Sequence, residues 1–172
     1  MIRKNNFAFM LIIICFATST GCSFASDKDG PKISWLSFTD ALALGKKEKR
    51  LVVIDFYTDW CKWCDVMDEK TYGNAEVIRF ANKNIALAKV NAESDDKTTY
   101  KGNEYSYRQL AQAFGIKGYP ATIFLDSEGD FITNISGYIT ADKFLPILKF
   151  LEGEHYKKMT FEDWQKKSSQ GE

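Results

Sequence analysis

The 172-residue chain has a single histidine, four cysteines and no excess charge of either sign. Its 23 Lys and Arg are balanced by 23 Asp and Glu, and no stripe of basic residues runs along it. The electrostatic footprint of a nucleic-acid binder is therefore missing, and no nucleic-acid partner is expected. One histidine and four cysteines leave little material for metal chemistry. The longest uninterrupted apolar run, residues 7–17, would span about half of a bilayer core of about 30 Å at 1.5 Å per residue, too short for a transmembrane helix. No internal repeat is visible. What remains is ordinary globular composition, 45% hydrophobic and 27% charged, which excludes a disordered or collagen-like chain. At this length one domain is expected, with a core that buries roughly 70% of the surface of the unfolded chain.

Residues 1–25 read as an export signal: Arg3 and Lys4 precede the apolar run, and small residues follow it. Two processing sites fit. Ser23-Phe24-Ala25 allows a cut after Ala25, which releases a soluble protein. Ser19-Thr20-Gly21-Cys22 resembles a bacterial lipobox, with Ser19 in place of the usual aliphatic residue, and makes Cys22 a lipidated N-terminus. Either way the chain is expected to be exported and periplasmic, meeting a membrane only through a lipid anchor. That compartment is oxidising and permits a disulfide.

The rest alternates helix and strand signals. Residues 26–34 are a linker carrying Gly30-Pro31. A first helix spans Trp35–Lys49, with Thr39 as its cap. Leu51–Tyr57 is a continuous β-branched and aromatic run, a strand buried on both faces. A helix opens at Cys61 and is interrupted near Gly73, and Asn74 caps another. Residues 85–90 form a strand. Residues 92–105 are polar without periodicity and read as a solvated loop. A short helix over residues 107–114 precedes strands at 121–125 and 131–135, joined as a hairpin. Gly137 signals a bulge or close backbone approach. Thr140 caps a last helix, ending at Gly153, in which Pro146 predicts a kink or a late start. Residues 154–172 read as a polar, loosely attached tail. The order predicts an α/β domain over 35–153 with a central mixed sheet and helices on both faces.

One motif carries chemistry. Cys61-Lys62-Trp63-Cys64 follows a buried strand and opens a helix, where unpaired N–H groups and the helix dipole stabilise a thiolate. Cys61, at the exposed end, is then the attacking nucleophile. Cys64, a turn later, resolves the mixed disulfide. Three other readings compete. A structural zinc site needs four ligands, and beyond the motif only His155 and Cys22 remain. A c-type haem site needs histidine where Asp65 stands. An inert structural disulfide closing so small a loop adds little stability.

From these residues outward the chain resembles the thioredoxin superfamily over residues 35–152. The landmarks are Val53–Tyr57, Trp60-Cys61-x-x-Cys64, Lys89-Val90-Asn91, Gly118-Tyr119-Pro120, Gly129 and Gly137. Within it, Asp59-Trp60-Cys61, Met67-x-Glu69-x-Thr71-Tyr72 and the helix start at Asn74–Val77 look most like the periplasmic domain of the transmembrane thiol–disulfide interchange reductase. The resemblance implies a thioredoxin fold and a set of roles. Pro120 matches the cis-proline that presents backbone to an extended substrate, with Tyr119 beside it. Asp55 matches the buried acid that relays a proton to and from Cys64, and Lys89 the lysine that pairs with it. Trp60 and Trp63 supply substrate-binding surface. The Lys-Trp dipeptide between the cysteines departs from the Gly-Pro of cytosolic thioredoxins and leaves the redox poise open.

The activity these readings imply is an exported thiol–disulfide oxidoreductase without metal or organic cofactor. It would draw electrons from a membrane thiol–disulfide reductase and reduce oxidised protein partners. A disulfide-forming oxidase or isomerase would use the same residues. A non-catalytic binding or chaperone module is the rival from another class.

Overall fold

The computed structural model describes residues 30–170, so the signal-like segment, with both of its cysteines, lies outside the described residues. Helix α1 (Phe38–Glu48) leads into strand β1 (Leu51–Tyr57). The predicted first helix starts three residues late. Ser37, not Thr39, is its cap and accepts from Asp40 N–H, while Leu36 forms a parallel bridge to Ala88 on the sheet edge. Helix α2 (Lys62–Met67) continues into a π-helical turn, Asp68–Tyr72. That turn stops at Gly73, where a Cβ would sit 2.3 Å from the Glu69 carbonyl oxygen. Asn74 then caps helix α3 (Ala75–Asn84), accepting from Glu76 and Val77 N–H. Strand β2 (Ile85–Asn91) follows directly.

The segment expected to be a solvated loop is a hairpin, β3 (Lys97–Tyr100) with β4 (Asn103–Ser106). Its docking is tertiary: the Tyr100 ring packs on Phe38 and Phe114, and its hydroxyl donates to Gly129 O. Helix α4 (Tyr107–Ala113), strands β5 (Ala121–Leu125) and β6 (Phe131–Ser136), and helix α5 (Ala141–Glu152) come next. α5 starts on time and runs through Pro146, and Thr140 makes no capping hydrogen bond. The expected polar tail is also ordered. A single turn at His155–Lys157 leads to helix α6 (Phe161–Gln170), whose Phe161 and Trp164 rings pack on Phe150. No described helix is long and apolar enough to cross a membrane.

The sheet order is β2-β1-β5-β6. β1 pairs parallel with β2 and antiparallel with β5, and β5 pairs antiparallel with β6, giving the expected mixed sheet. Alternation along β1 sends Val52, Ile54 and Phe56 to one face, under α1 and α4, with Phe38 and Leu110. Leu51 and Val53 go to the other face, under α2, α3 and α5, with Met67, Val77, Phe144 and Leu148. Both faces are covered, which is why β1 reads as a continuous apolar run. Asp55 falls on the second face, inside that layer.

Candidate active site

β1 delivers the chain to the site. After Tyr57 the backbone turns, Cys61 N–H donating to Thr58 O at 3.1 Å, so that Cys61 becomes the N-cap of α2. Its sulfur plays the part of a capping acceptor, taking the Cys64 N–H at 3.1 Å. The two cysteines form a disulfide with Cα atoms 5.2 Å apart. In this form Cys61 is only 5% exposed and Cys64 3%, so the expected prominence of Cys61 is not seen. Exposure passes to the tryptophans, Trp60 at 66% and Trp63 at 60%.

A second loop completes the surface. The Tyr119–Pro120 peptide is cis, and Pro120 O accepts the Gly137 N–H at 2.7 Å. Gly137 holds φ at +90° with open space where a Cβ would stand, so its conformation rather than a close approach favours glycine. Trp60 meets Tyr119 edge-on at 6.1 Å, and its Nε1 donates to Glu93 at 3.0 Å. Trp63 stacks on Tyr138 at 5.6 Å. The four ring side chains form two pairs, and the Pro120–Gly137 hydrogen bond links the loops that carry their tyrosines. Tyr138 and Glu93 went unnoticed in the sequence; Gly137 next door was the only local signal for Tyr138.

Behind this surface lies Asp55, 2% exposed. Burial pushes its carboxyl up from an ordinary 3.8 to about 7; the Lys89 charge opposes the rise, the nearby Asp68 charge adds to it, and the Tyr72 hydroxyl lowers it. The expected Lys89–Asp55 pairing is not formed. Lys89 stands opposite Asp55 in the β1–β2 register, but its ammonium hydrogen-bonds both carboxylate oxygens of Asp68. The reason is solvation. Asp68 is 41% exposed, so the pair there keeps water and avoids the desolvation of two charges beside Asp55. The ammonium also lies over the rings of Trp35 and Tyr57 at 5.1 and 5.0 Å. Asp68 is the second acid that sequence reading passed over. Among the described residues no group of three or more His, Cys, Asp or Glu is placed to hold a metal.

Chemically, the centre offers a reversible two-electron thiol–disulfide couple beside a carboxyl poised near neutrality. Comparison with known proteins places it. The thiol:disulfide interchange protein DsbD of Ralstonia nicotianae is 33% identical over 101 residues, 58% of this chain and 15% of that protein. The disulfide bond reductase DsbH of Chlamydia pneumoniae is 24% identical over 98 residues, 56% of this chain and 58% of its own. This chain thus spans less than two thirds of either relative. A thioredoxin from Thermus thermophilus shares the fold, with a TM-score of 0.57 at 22% identity over 70% of this chain and 87% of its own. A family model for the thioredoxin-like domain matches residues 38–152, well over half of the chain, and by that match the protein belongs to the thioredoxin-like family, with the Cys61–Cys64 disulfide inside the matched segment.

Proposed function

We propose that this protein is an exported thiol–disulfide oxidoreductase that reduces disulfides in other proteins. The observation that carries the reading is the Cys64 N–H aimed at Cys61 Sγ, because the same amide stabilises a thiolate once the disulfide opens. In the reduced protein the Cys61 thiolate attacks one sulfur of a substrate disulfide. The substrate S–S bond breaks, a mixed disulfide forms on Cys61, and the departing substrate thiolate takes a proton from solvent. Asp55 as carboxylate accepts the Cys64 thiol proton, and the Cys64 thiolate attacks Cys61 Sγ. The mixed disulfide breaks, the second substrate thiolate leaves, and the Cys61–Cys64 disulfide remains. Two electrons have passed to the substrate. A carboxyl titrating at about 7 is populated in both forms at neutral pH and serves the step in either direction.

Pro120, Tyr119, Trp60 and Trp63 form the surface for an extended substrate segment. The electron donor is a membrane thiol–disulfide reductase, and regeneration is the reverse of the steps above. The chlamydial relative, a disulfide bond reductase, supports the reducing direction. The export-like segment supports a periplasmic location, soluble after a cut at Ala25 or lipid-anchored at Cys22. An oxidase or isomerase would share every residue, so direction is read from the potential. Equilibration of Cys61–Cys64 with glutathione mixtures should give a value near the reducing end of a range of about −270 to −120 mV. A value near −120 mV overturns the reductase reading. Cys64→Ser should trap substrates as mixed disulfides on Cys61, and Cys61→Ser should trap none.

A further inference from the structure

Three oxygens on the sheet face beneath α2 are buried and meet no hydrogen-bond partner: Asp55 Oδ1, Tyr72 Oη and Thr122 Oγ1. Buried polar atoms are nearly always paired, so three orphans in one place call for a role. They are neighbours. Thr122 stands opposite Asp55 in the β1–β5 register, and the Tyr72 hydroxyl lies close to both side chains. The ring of Tyr72 is held edge-on between Trp35, at 4.8 Å, and Phe144, at 5.6 Å, which fixes where its hydroxyl points.

The charged and titratable groups around Asp55 are few. β2 brings Lys89, the π turn brings Asp68 and Tyr72, and β1 itself carries Tyr57. Lys89 and Asp68 satisfy each other at the rim. β5 adds only the hydroxyl of Thr122. Of these neighbours, the Tyr72 hydroxyl is the donor that reaches the Asp55 carboxyl.

We propose that Tyr72 is a positioning residue for Asp55: when Cys64 is a thiol and Asp55 is ionised, the Tyr72 hydroxyl donates a hydrogen bond to the carboxylate and accepts one from Thr122. When Asp55 takes the Cys64 proton, the negative charge that holds this chain of hydroxyls is gone and the bond weakens. No proton leaves Tyr72 itself. The hydroxyl favours the ionised acid and so sets how readily Asp55 accepts the thiol proton.

This inference rests on the Asp55 role given above, and the experiment separates the two. The full mature chain is reduced and mixed with one equivalent of a disulfide-linked peptide, and release of the first and second peptide thiols is followed from pH 5.5 to 9. In Tyr72→Phe the midpoint of the second step should move alkaline by about one pH unit, with about a tenfold slower release at pH 6 and convergence at pH 9. The first step should not change. Thr122→Val, of the same shape, should shift the midpoint the same way by less. The ring of Tyr72→Phe packs as in the parent, and at pH 5, where Asp55 is protonated in both, thermal unfolding of the two should match. Should that variant fail to fold, the Thr122→Val shift decides, and its absence overturns the proposal. Asp55→Asn is the control. If it leaves the pH profile unchanged, the relay role of Asp55 falls. If it abolishes the profile while Tyr72→Phe superimposes on the parent, only the inference about Tyr72 falls.

Discussion

Asp55 and Lys89 face one another across the β1–β2 ladder, yet the lysine gives its hydrogen bonds to Asp68 and acts on Asp55 by charge alone. The buried acid is thus held between opposing influences: its own desolvation and Asp68 push its titration up, and Lys89 pulls it down.

Removing either partner should move Asp55 in opposite directions. Lys89→Met deletes the charge that favours the carboxylate, so the midpoint should rise above about 7. Asp68→Asn deletes a repelling charge and frees Lys89, so the midpoint should fall. Carbon-detected NMR titration of the Asp55 carboxyl in the disulfide form reads both. Shifts of the same sign in the two variants would refute the arrangement.

The same titration is a statement about stability. The folded state holds a proton on Asp55 from about pH 4 to about pH 7, where the unfolded chain has released it, so stability is lost as pH rises through that window. Asp55→Asn escapes the loss. It should match the parent near pH 3 and exceed it at pH 8 by up to about 4 kcal/mol. Urea unfolding of the oxidised proteins at several pH values checks this; a difference that does not grow with pH contradicts it.

The tryptophans should affect substrate capture more than chemistry. Trp60→Ala and Trp63→Ala each remove an exposed ring from beside the disulfide. Each should raise KM for a protein disulfide by about five- to thirtyfold, on the order of 1–2 kcal/mol, with kcat little changed. Reaction with a small disulfide should be unaffected. A loss confined to kcat would place these rings in the chemical step instead.

Helix α6 should matter to stability and not to catalysis. Trp164 packs on Phe150, His155 and Phe161. The turn leading into α6 places Tyr156 near Leu51, at the end of the sheet away from the disulfide. Trp164→Ala should cost about 1–3 kcal/mol of unfolding free energy, less than a fully buried tryptophan would, and leave the Cys61–Cys64 potential in place. Denaturant midpoints and glutathione equilibration measure the two separately.

Much of the fold is legible because local chemistry and tertiary role coincide. Leu51–Tyr57 is apolar throughout since both of its faces are covered, Asn74 caps α3 with its own side chain, and Cys61 stands where a strand gives way to a helix. The β3–β4 hairpin was not legible. Its strands are mostly polar, and only Thr98 and Ser106 are buried. The anchor, Tyr100, finds its partners Phe38 and Phe114 far away in sequence. Likewise α6 carries little apolar surface, and the aromatic cluster that receives it exists only once α5 has folded.

The sequence by itself determined the redox couple and the layered α/β order, written in cysteines one turn apart and in alternating strand and helix signals. The buried acid and the cis-proline were marked by resemblance to the thioredoxin superfamily, and the structure places both. Tertiary structure decided the partners of those residues. Lys89 bonds Asp68 and not Asp55 because a charge pair is cheaper at a solvated rim than in the core. Trp63 stacks on Tyr138, and Tyr72 reaches towards Asp55, because strands and turns distant in the chain converge at one end of the sheet. Which groups meet depends on how far each side chain reaches and how much water it keeps, and neither is set until the layers close.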